Sequence, residues 1–125
     1  MSISNRPPQI KVRMVGEESW AQRIASFLEE RVGAIVKRDT VPPTNGYPDN
    51  PHVLIVNLLA DPSFEFLRSL RKKWSERDLP VIVMADDDDC EVDAMRAGAS
   101  AFIDESMHHD GRLLEKLVFG LAYEG

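Results

Sequence analysis

Short apolar runs alternate with segments of helical periodicity along the whole chain. The runs over residues 10–15, 34–38, 53–57, 80–84 and 101–103 have the length of strands and are bounded by turn residues, which predicts five strands. The stretches between them carry apolar residues every three or four positions, the period of a helix that buries one side. Strands that alternate with helices indicate a parallel sheet covered by helices.

The first two helices have readable start and stop signals. Ser19 as N-cap with Gln22 three residues later forms a capping box, and Gly33 ends that helix. A second helix is predicted over residues 63–77, after the start signal at Asp61-Pro62. The predicted buried faces are Trp20, Ile24, Phe27, Leu28 and Val32 for the first helix, and Phe66, Leu67, Leu70 and Trp74 for the second.

The third helix is predicted to be short. Asp89 is its expected N-cap, the helix carries the apolar residues Val92 and Met95, and Gly98 ends it.

The last helix is predicted to start at the cap Asp110 and to run to Tyr123. Its inward positions are Leu113, Leu114, Leu117, Val118 and Leu121. At 100° per residue, Phe119 and Tyr123 fall on the other side, where an aromatic pair indicates either a contact surface or a fold-back onto the domain.

Domain organisation follows from these elements. Residues 1–9 lack strand or helix signals and are predicted to form an extended or disordered arm, and residues 10–125 form one domain. Residues 39–51 contain four prolines and one glycine. A helix cannot run through such a segment.

Charge and composition exclude several classes of function. Net charge is −6, and residues 86–125 alone carry eleven Asp/Glu and three Lys/Arg. That acidic third repels nucleic acid, so direct DNA or RNA binding is not expected. Absence of a signal peptide or apolar span predicts a cytoplasmic protein without membrane contact, and the single Cys90 agrees with a reducing compartment.

Three motifs, which follow one another along the chain, resemble parts of the receiver domains of bacterial response regulators. "PHVLIVNLLAD" at 51–61 looks like their third strand and phosphoacceptor turn, and "LPVIVMADDDD" at 79–89 resembles their fourth strand and loop. "AMRAGASAFIDESM" at 94–107 resembles their fourth helix, Ala-Gly-Ala corner and fifth strand, with Phe102 at the switch-aromatic position. The resemblance implies an α/β, flavodoxin-like (CheY-like) three-layer fold with strand order 2-1-3-4-5. Here the Pro-rich loop replaces the second helix.

The residues that carry receiver chemistry are replaced. The phosphoacceptor aspartate matches Asn57, which has no carboxylate to attack phosphorus. The hydroxyl residue matches Ala85 and the lysine matches Glu105, whose charge repels an anion. The acidic Mg²⁺-binding pair matches Gly16 and Glu17. The resemblance therefore implies a degenerate form, a pseudo-receiver.

A pseudo-receiver is expected to act without phosphorylation, as a protein–protein interaction or dimerisation module in two-component signal transduction. No enzyme activity, cofactor, metal or small-molecule substrate is expected, because the chain has no Gly-rich phosphate loop, nucleophile–base arrangement or metal-ligand spacing. Weak metal binding by Glu17 and Glu18, or by Asp86 to Asp89, stays open. The aspartate run is more simply a solvated helix start.

Two surfaces are candidate contact sites for a protein partner or a homodimer. The first is the face that receiver domains use to dimerise and to contact outputs. Its candidate residues are Glu91, Asp93, Arg96, Phe102, Arg112, Glu115, Phe119 and Tyr123. The second surface carries Lys11 and Arg13, which alternate with apolar residues in the first strand and are expected to point where the second helix is missing.

Two other functions remain open. The chain could be the receiver-like N-terminal targeting domain of a larger protein, such as the pilus-localisation ATPases that resemble ParA. A ligand-binding or enzymatic flavodoxin-like domain is the weaker alternative, since no quotable motif supports it.

Overall fold

The computed structural model describes residues 9–41, 50–107 and 110–124. Five parallel strands form one sheet in the order β2-β1-β3-β4-β5, which confirms the predicted topology. The strands are β1 (Lys11–Val15), β2 (Ile35–Asp39), β3 (Val53–Asn57), β4 (Val81–Ala85) and β5 (Ala101–Asp104). Every residue of β3 and β4 is buried, as expected for central strands of a sheet covered on both faces.

Helices flank this sheet. In the described part of the chain they are α1 (Glu18–Arg31), α2 (Glu65–Arg71), α3 (Glu91–Ala97) and α4 (Arg112–Glu124), and a 3-10 turn (Leu58–Ala60) follows β3. Helices α1 and α4 pack on one face through a core that includes Leu28, Met14 and Val118. Helices α2 and α3 pack on the other face, around Leu67 and Ala94.

Helix α1 begins earlier than the capping box predicts. Glu17 is its N-cap, and its carboxylate accepts the backbone N–H groups of Ser19 and Trp20 at 3.0 and 3.2 Å. The hydroxyl of Ser19 donates to the same carboxylate instead of capping the helix. The prediction of Ser19 as N-cap is therefore wrong. The Glu17 side chain thus caps the helix two residues before the predicted position.

Helix α2 is half the predicted length. Its N-cap is Phe64, and the Asp61 carboxylate before it accepts the N–H groups of Phe66 and Leu67 at 3.0 and 3.1 Å. The helix ends at Arg71, whose guanidinium donates to the carbonyl oxygens of Leu79 and Gly98, both at 2.7 Å. These bonds hold residues 72–79 in turns, so the predicted extension to residue 77 does not form.

Helix α3 differs from the prediction at its N-terminus. Its N-cap is Cys90, without a side-chain hydrogen bond, so the prediction of Asp89 as the cap is wrong. The helix packs on the small residues Ala94 and Ala97. Val92 and Met95 lie outward and are 61% and 44% exposed.

Other predicted features are only partly covered by the structure. The arm over 1–9 and the Pro-rich loop over 39–51 lie mostly outside the described residues, although Asp39 itself ends β2. The cap Asp110 accepts the backbone N–H of Arg112 at 3.2 Å, as predicted.

Among the described helices, none has the length and apolarity that a membrane span requires.

Candidate functional site

The carboxyl ends of β1, β3 and β4 meet at one edge of the sheet, where ligands bind in open α/β folds. Asn57 ends β3 and is 8% exposed, and Ala85 ends β4 and is 4% exposed. The Asn57 side-chain oxygen accepts the Leu59 N–H at 2.9 Å and so caps the 3-10 turn. Both residues line a small cavity of about 120 Å³. An amide and a methyl group there offer neither a nucleophile nor a phosphate-binding hydroxyl.

Trp20 covers the end of β1 at this edge. An ideal Cβ on Gly16 would lie 2.4 and 2.5 Å from two ring carbons of Trp20, and 3.1 Å from Cβ of Asn57. Real carbon contacts need about 3.5 to 4.0 Å. The indole ring therefore occupies the space that any side chain at position 16 would enter, and only glycine fits beneath it.

Glu105 holds this tryptophan. The indole Nε1–H of Trp20 donates to both carboxylate oxygens of Glu105, at 3.2 and 3.3 Å. The Arg23 guanidinium pairs with the same carboxylate at 3.3 Å, and the Glu105 side chain is only 14% exposed. We refer to Gly16, Trp20 and Glu105 as the tryptophan clamp. The sequence placed Trp20 on the buried face of α1 and gave no sign of its bond to Glu105.

Receiver-type Mg²⁺ binding does not fit the residues at this edge. Gly16 has no donor atom, and Asn57 offers an amide whose oxygen is already bonded. The Glu17 carboxylate caps α1, and hydrogen bonds from Ser19, followed by that from Trp20, lower its pKa from 4.5. Within residues 9–41, 50–107 and 110–124, no group of three His, Cys, Asp or Glu side chains is arranged to hold a metal ion.

On α3 and α4, the residues of the predicted interaction face lie on different sides of their helices. On α3, Asp93 and Arg96 line a groove with Phe64 and Arg68. They therefore face α2. Glu91 lies on the other side of α3, at 100° per residue, and is exposed.

The α4 members of that predicted face lie on the α1 side. Glu115 pairs with Arg31 of α1 at 3.2 Å. Phe119, one turn further on the same side, is partly buried against the core of α1 and α4. It stacks on Tyr123 with ring centroids 5.9 Å apart, and Tyr123 is 37% exposed. The prediction that both aromatics lie off the buried surface is wrong for Phe119, because α4 packs against α1 as well as against the sheet.

Beside β5 lies an apolar surface that includes Phe102 of the predicted interaction face and four residues that were not predicted to belong to it. Val92 and Met95 protrude from α3, and Phe102 of β5 packs at the margin of the core below that helix. On α4, Leu113 and Leu117 lie opposite the Glu115 side and are only partly buried. Both helices contact the edge strand β5. We name these five residues the β5-edge patch.

Lys11 and Arg13 lie on the α2 side of the sheet, since Val15 on the same face belongs to the core of α2 and α3. Lys11 is exposed. The Arg13 guanidinium pairs with Asp39 at 2.8 and 3.2 Å and is 20% exposed. The Lys11 backbone N–H donates to Nδ1 of His52 at 2.8 Å. Much of the predicted basic character of this surface is therefore neutralised by Asp39.

Comparison with known proteins places the fold. No family model matches the chain, and no curated protein matches it. The non-phosphorylated HemR receiver domain of Leptospira biflexa has a TM-score of 0.71 at 16% identity, over 92% of this chain and 95% of that one. The chemotaxis response regulator CheY4 of Vibrio cholerae has a TM-score of 0.65 at 18% identity, over 75% and 84%.

A third similar structure is the receiver domain of a Pseudomonas aeruginosa sensor histidine kinase. Its TM-score is 0.67 at 11% identity, over 88% of this chain and 98% of that one, and that protein coordinates a magnesium ion in its active-site cleft. At these identities the likeness concerns the fold. With five parallel strands in the order 2-1-3-4-5 and helices on both faces, the chain has the fold of a response-regulator receiver domain.

Proposed function

We propose that the chain is a phosphorylation-independent, receiver-like module that acts in signal transduction by binding a second copy of itself. The observation that carries the first part is the tryptophan clamp. The Trp20 ring fills the cleft above Gly16, and Glu105 bonds to that ring instead of presenting a cation to the cleft. Asn57 also supports phosphorylation independence, because its amide cannot form an acyl phosphate.

Support for self-association comes from the β5-edge patch. Isolated exposed apolar side chains are normal, but the five residues of the patch all belong to α3, β5 and α4, and both helices contact the edge strand β5. Several incompletely buried apolar residues at one edge of a soluble domain are typical of a contact site. In an isologous dimer the same patch is used by both copies, so a single self-complementary surface suffices.

The charges that border the patch suit a two-fold arrangement. Glu91 is exposed beside Val92 on α3, and Lys116 is exposed beside Leu117 on α4. A two-fold axis through the patch would bring the acidic α3 side of one copy towards the basic α4 side of the other. Such pairs fix orientation more than they add affinity.

Phosphoryl transfer is tested by intact-mass analysis after incubation with acetyl phosphate and Mg²⁺. We expect no mass gain. A stable gain of one phosphoryl group at residue 57 or its neighbours would contradict phosphorylation independence.

Self-association is tested by sedimentation velocity on the wild type and on Met95→Glu. The substitution puts a charge into the patch at a site that is 44% exposed, so it should shift the protein to the monomer while the circular dichroism spectrum stays unchanged. Leu59→Glu is the matched control, because Leu59 is 78% exposed and lies outside the patch. Equal behaviour of both variants, or a wild type that stays monomeric, would contradict the proposed dimer.

A further inference from the structure

A second, larger cavity lies between α1 and α4 at the carboxyl end of β4. Its volume is about 560 Å³, within the range of small-molecule sites. The interior is apolar. It is lined by Ile24, Phe27, Met84 and Leu114.

The walls of this cavity are fixed by packing. Ile24, Met84 and Leu114 belong to the core of α1 and α4 and are 6%, 3% and 3% exposed. The Phe27 ring lies directly against Gly111, where an ideal Cβ would be 2.4 Å from a ring carbon. Gly111 has φ +81°, a conformation that glycine adopts without strain. The cavity is therefore preformed.

The rim of the cavity is acidic. Among the lining residues that the structure describes, Asp86, Glu105 and Asp110 stand against one cation, Arg23. Arg23 pairs with Glu105, and Asp110 is 3.5 Å from the guanidinium of Arg112. In the part of the chain that the structure describes, Asp86 has no hydrogen bond or ion pair. An unneutralised carboxylate thus stands beside an apolar interior.

We propose that this cavity binds a small organic cation, an amine carried on an aromatic or branched aliphatic body. The body would fill the space between Ile24, Phe27 and Leu114, and the ammonium group would lie near Asp86 at the mouth. This site goes beyond the proposed dimer function, since it lies on the α1 side of α4, away from the β5-edge patch. It also departs from the sequence-based expectation that no small molecule binds.

Charge selectivity provides the test. Tryptamine and indole-3-propionic acid share an indole body and differ in the sign of the charged group. Each is titrated into the ¹⁵N-labelled full chain, followed by amide chemical shifts of Ile24, Gly111 and Leu114. We expect tryptamine to shift these resonances saturably and indole-3-propionic acid to bind at least tenfold more weakly. Absence of saturable shifts with tryptamine, or equal binding of the acid, would overturn the proposal.

Two variants locate the binding site. Asp86→Asn should weaken tryptamine about three- to fivefold, the effect of one ion pair at a solvent-exposed position, and Asp86→Lys should weaken it further. Asp93→Asn on α3 makes the same change in net charge outside the cavity and should leave tryptamine binding unchanged. Asp86 is exposed, so the fold should tolerate both changes. Equal effects of Asp86→Asn and Asp93→Asn would show non-specific charge attraction and overturn the site.

Discussion

Replacement of Gly16 by alanine is the sharpest test of the tryptophan clamp. The added methyl group would sit 2.4 Å from the Trp20 ring, so the ring must move by about 1 Å to restore an ordinary carbon contact. Overpacking of this kind costs roughly 1–3 kcal/mol. Gly16 has no positive φ, so the lower entropy of the unfolded alanine chain should return about 0.4–1 kcal/mol. The expected net loss in the free energy of unfolding is about 1–2 kcal/mol.

The same substitution should behave differently once the ring is gone. In a Trp20→Leu background the shorter side chain leaves room at position 16, so Gly16→Ala should become neutral or stabilising by up to about 1 kcal/mol. The two substitutions are therefore expected to couple by roughly 1–3 kcal/mol, as contacting residues do in a double-mutant cycle. Two sites that do not touch would show additive effects.

Urea denaturation followed by circular dichroism measures all four proteins of this cycle. Fluorescence adds an independent signal, because the chain has two tryptophans and Trp74→Phe leaves Trp20 alone. In that background Gly16→Ala should shift the Trp20 emission, since the ring is displaced from Glu105. Additive stabilities together with an unchanged emission spectrum would refute the packing of Trp20 over Gly16.

Three further predictions concern other parts of the molecule. Arg71→Lys should lower the free energy of unfolding by about 2–4 kcal/mol in urea denaturation, because a lysine cannot reproduce the several hydrogen bonds of the half-buried guanidinium; the exposed Arg68→Lys is the control, and equal effects would contradict this role. The pKa of His52 lies below 6.5 because of burial and then Lys11. The unfolded state thus binds the proton more readily, so stability should fall as the pH drops through 6.5 and below, and His52→Asn should remove that slope; an unchanged slope would contradict the prediction. Asn57→Asp should gain no phosphoryl group from acetyl phosphate by mass analysis, since position 105 still carries a carboxylate instead of a cation and Ala85 has no hydroxyl; receiver-like labelling would contradict this prediction.

Much of the fold could be predicted because its signals are local. β3 and β4 are continuous apolar runs, and the structure buries them completely. The Gly98 stop is equally local, since Gly98 has φ +118° at the end of α3. Such features depend on a few adjacent residues, which the sequence displays directly.

The predictions of helix caps and buried helix faces were wrong where contacts with residues distant in the sequence decide between several locally possible structures. Both Glu17 and Ser19 can cap a helix, and only the reach of the Glu17 side chain selects between them. Periodicity placed Phe119 outward on α4, because it cannot show that α1 packs beside that helix. The sequence shows Val92 and Met95 on α3 without showing their environment, and both are exposed because α3 approaches the sheet closely through Ala94.

The candidate site was the least predictable part, because its central contact joins residues 85 positions apart. Sequence comparison with receiver domains treats Gly16 and Glu105 as two separate losses. In the structure they are two sides of one arrangement, since glycine admits the Trp20 ring and the carboxylate accepts its N–H. A lysine at position 105 would place a donor against the indole donor, and an acid at position 16 would collide with the ring. A receiver-type residue at either of these two positions therefore conflicts with the observed placement of the Trp20 ring, which explains why the two positions have to be interpreted together.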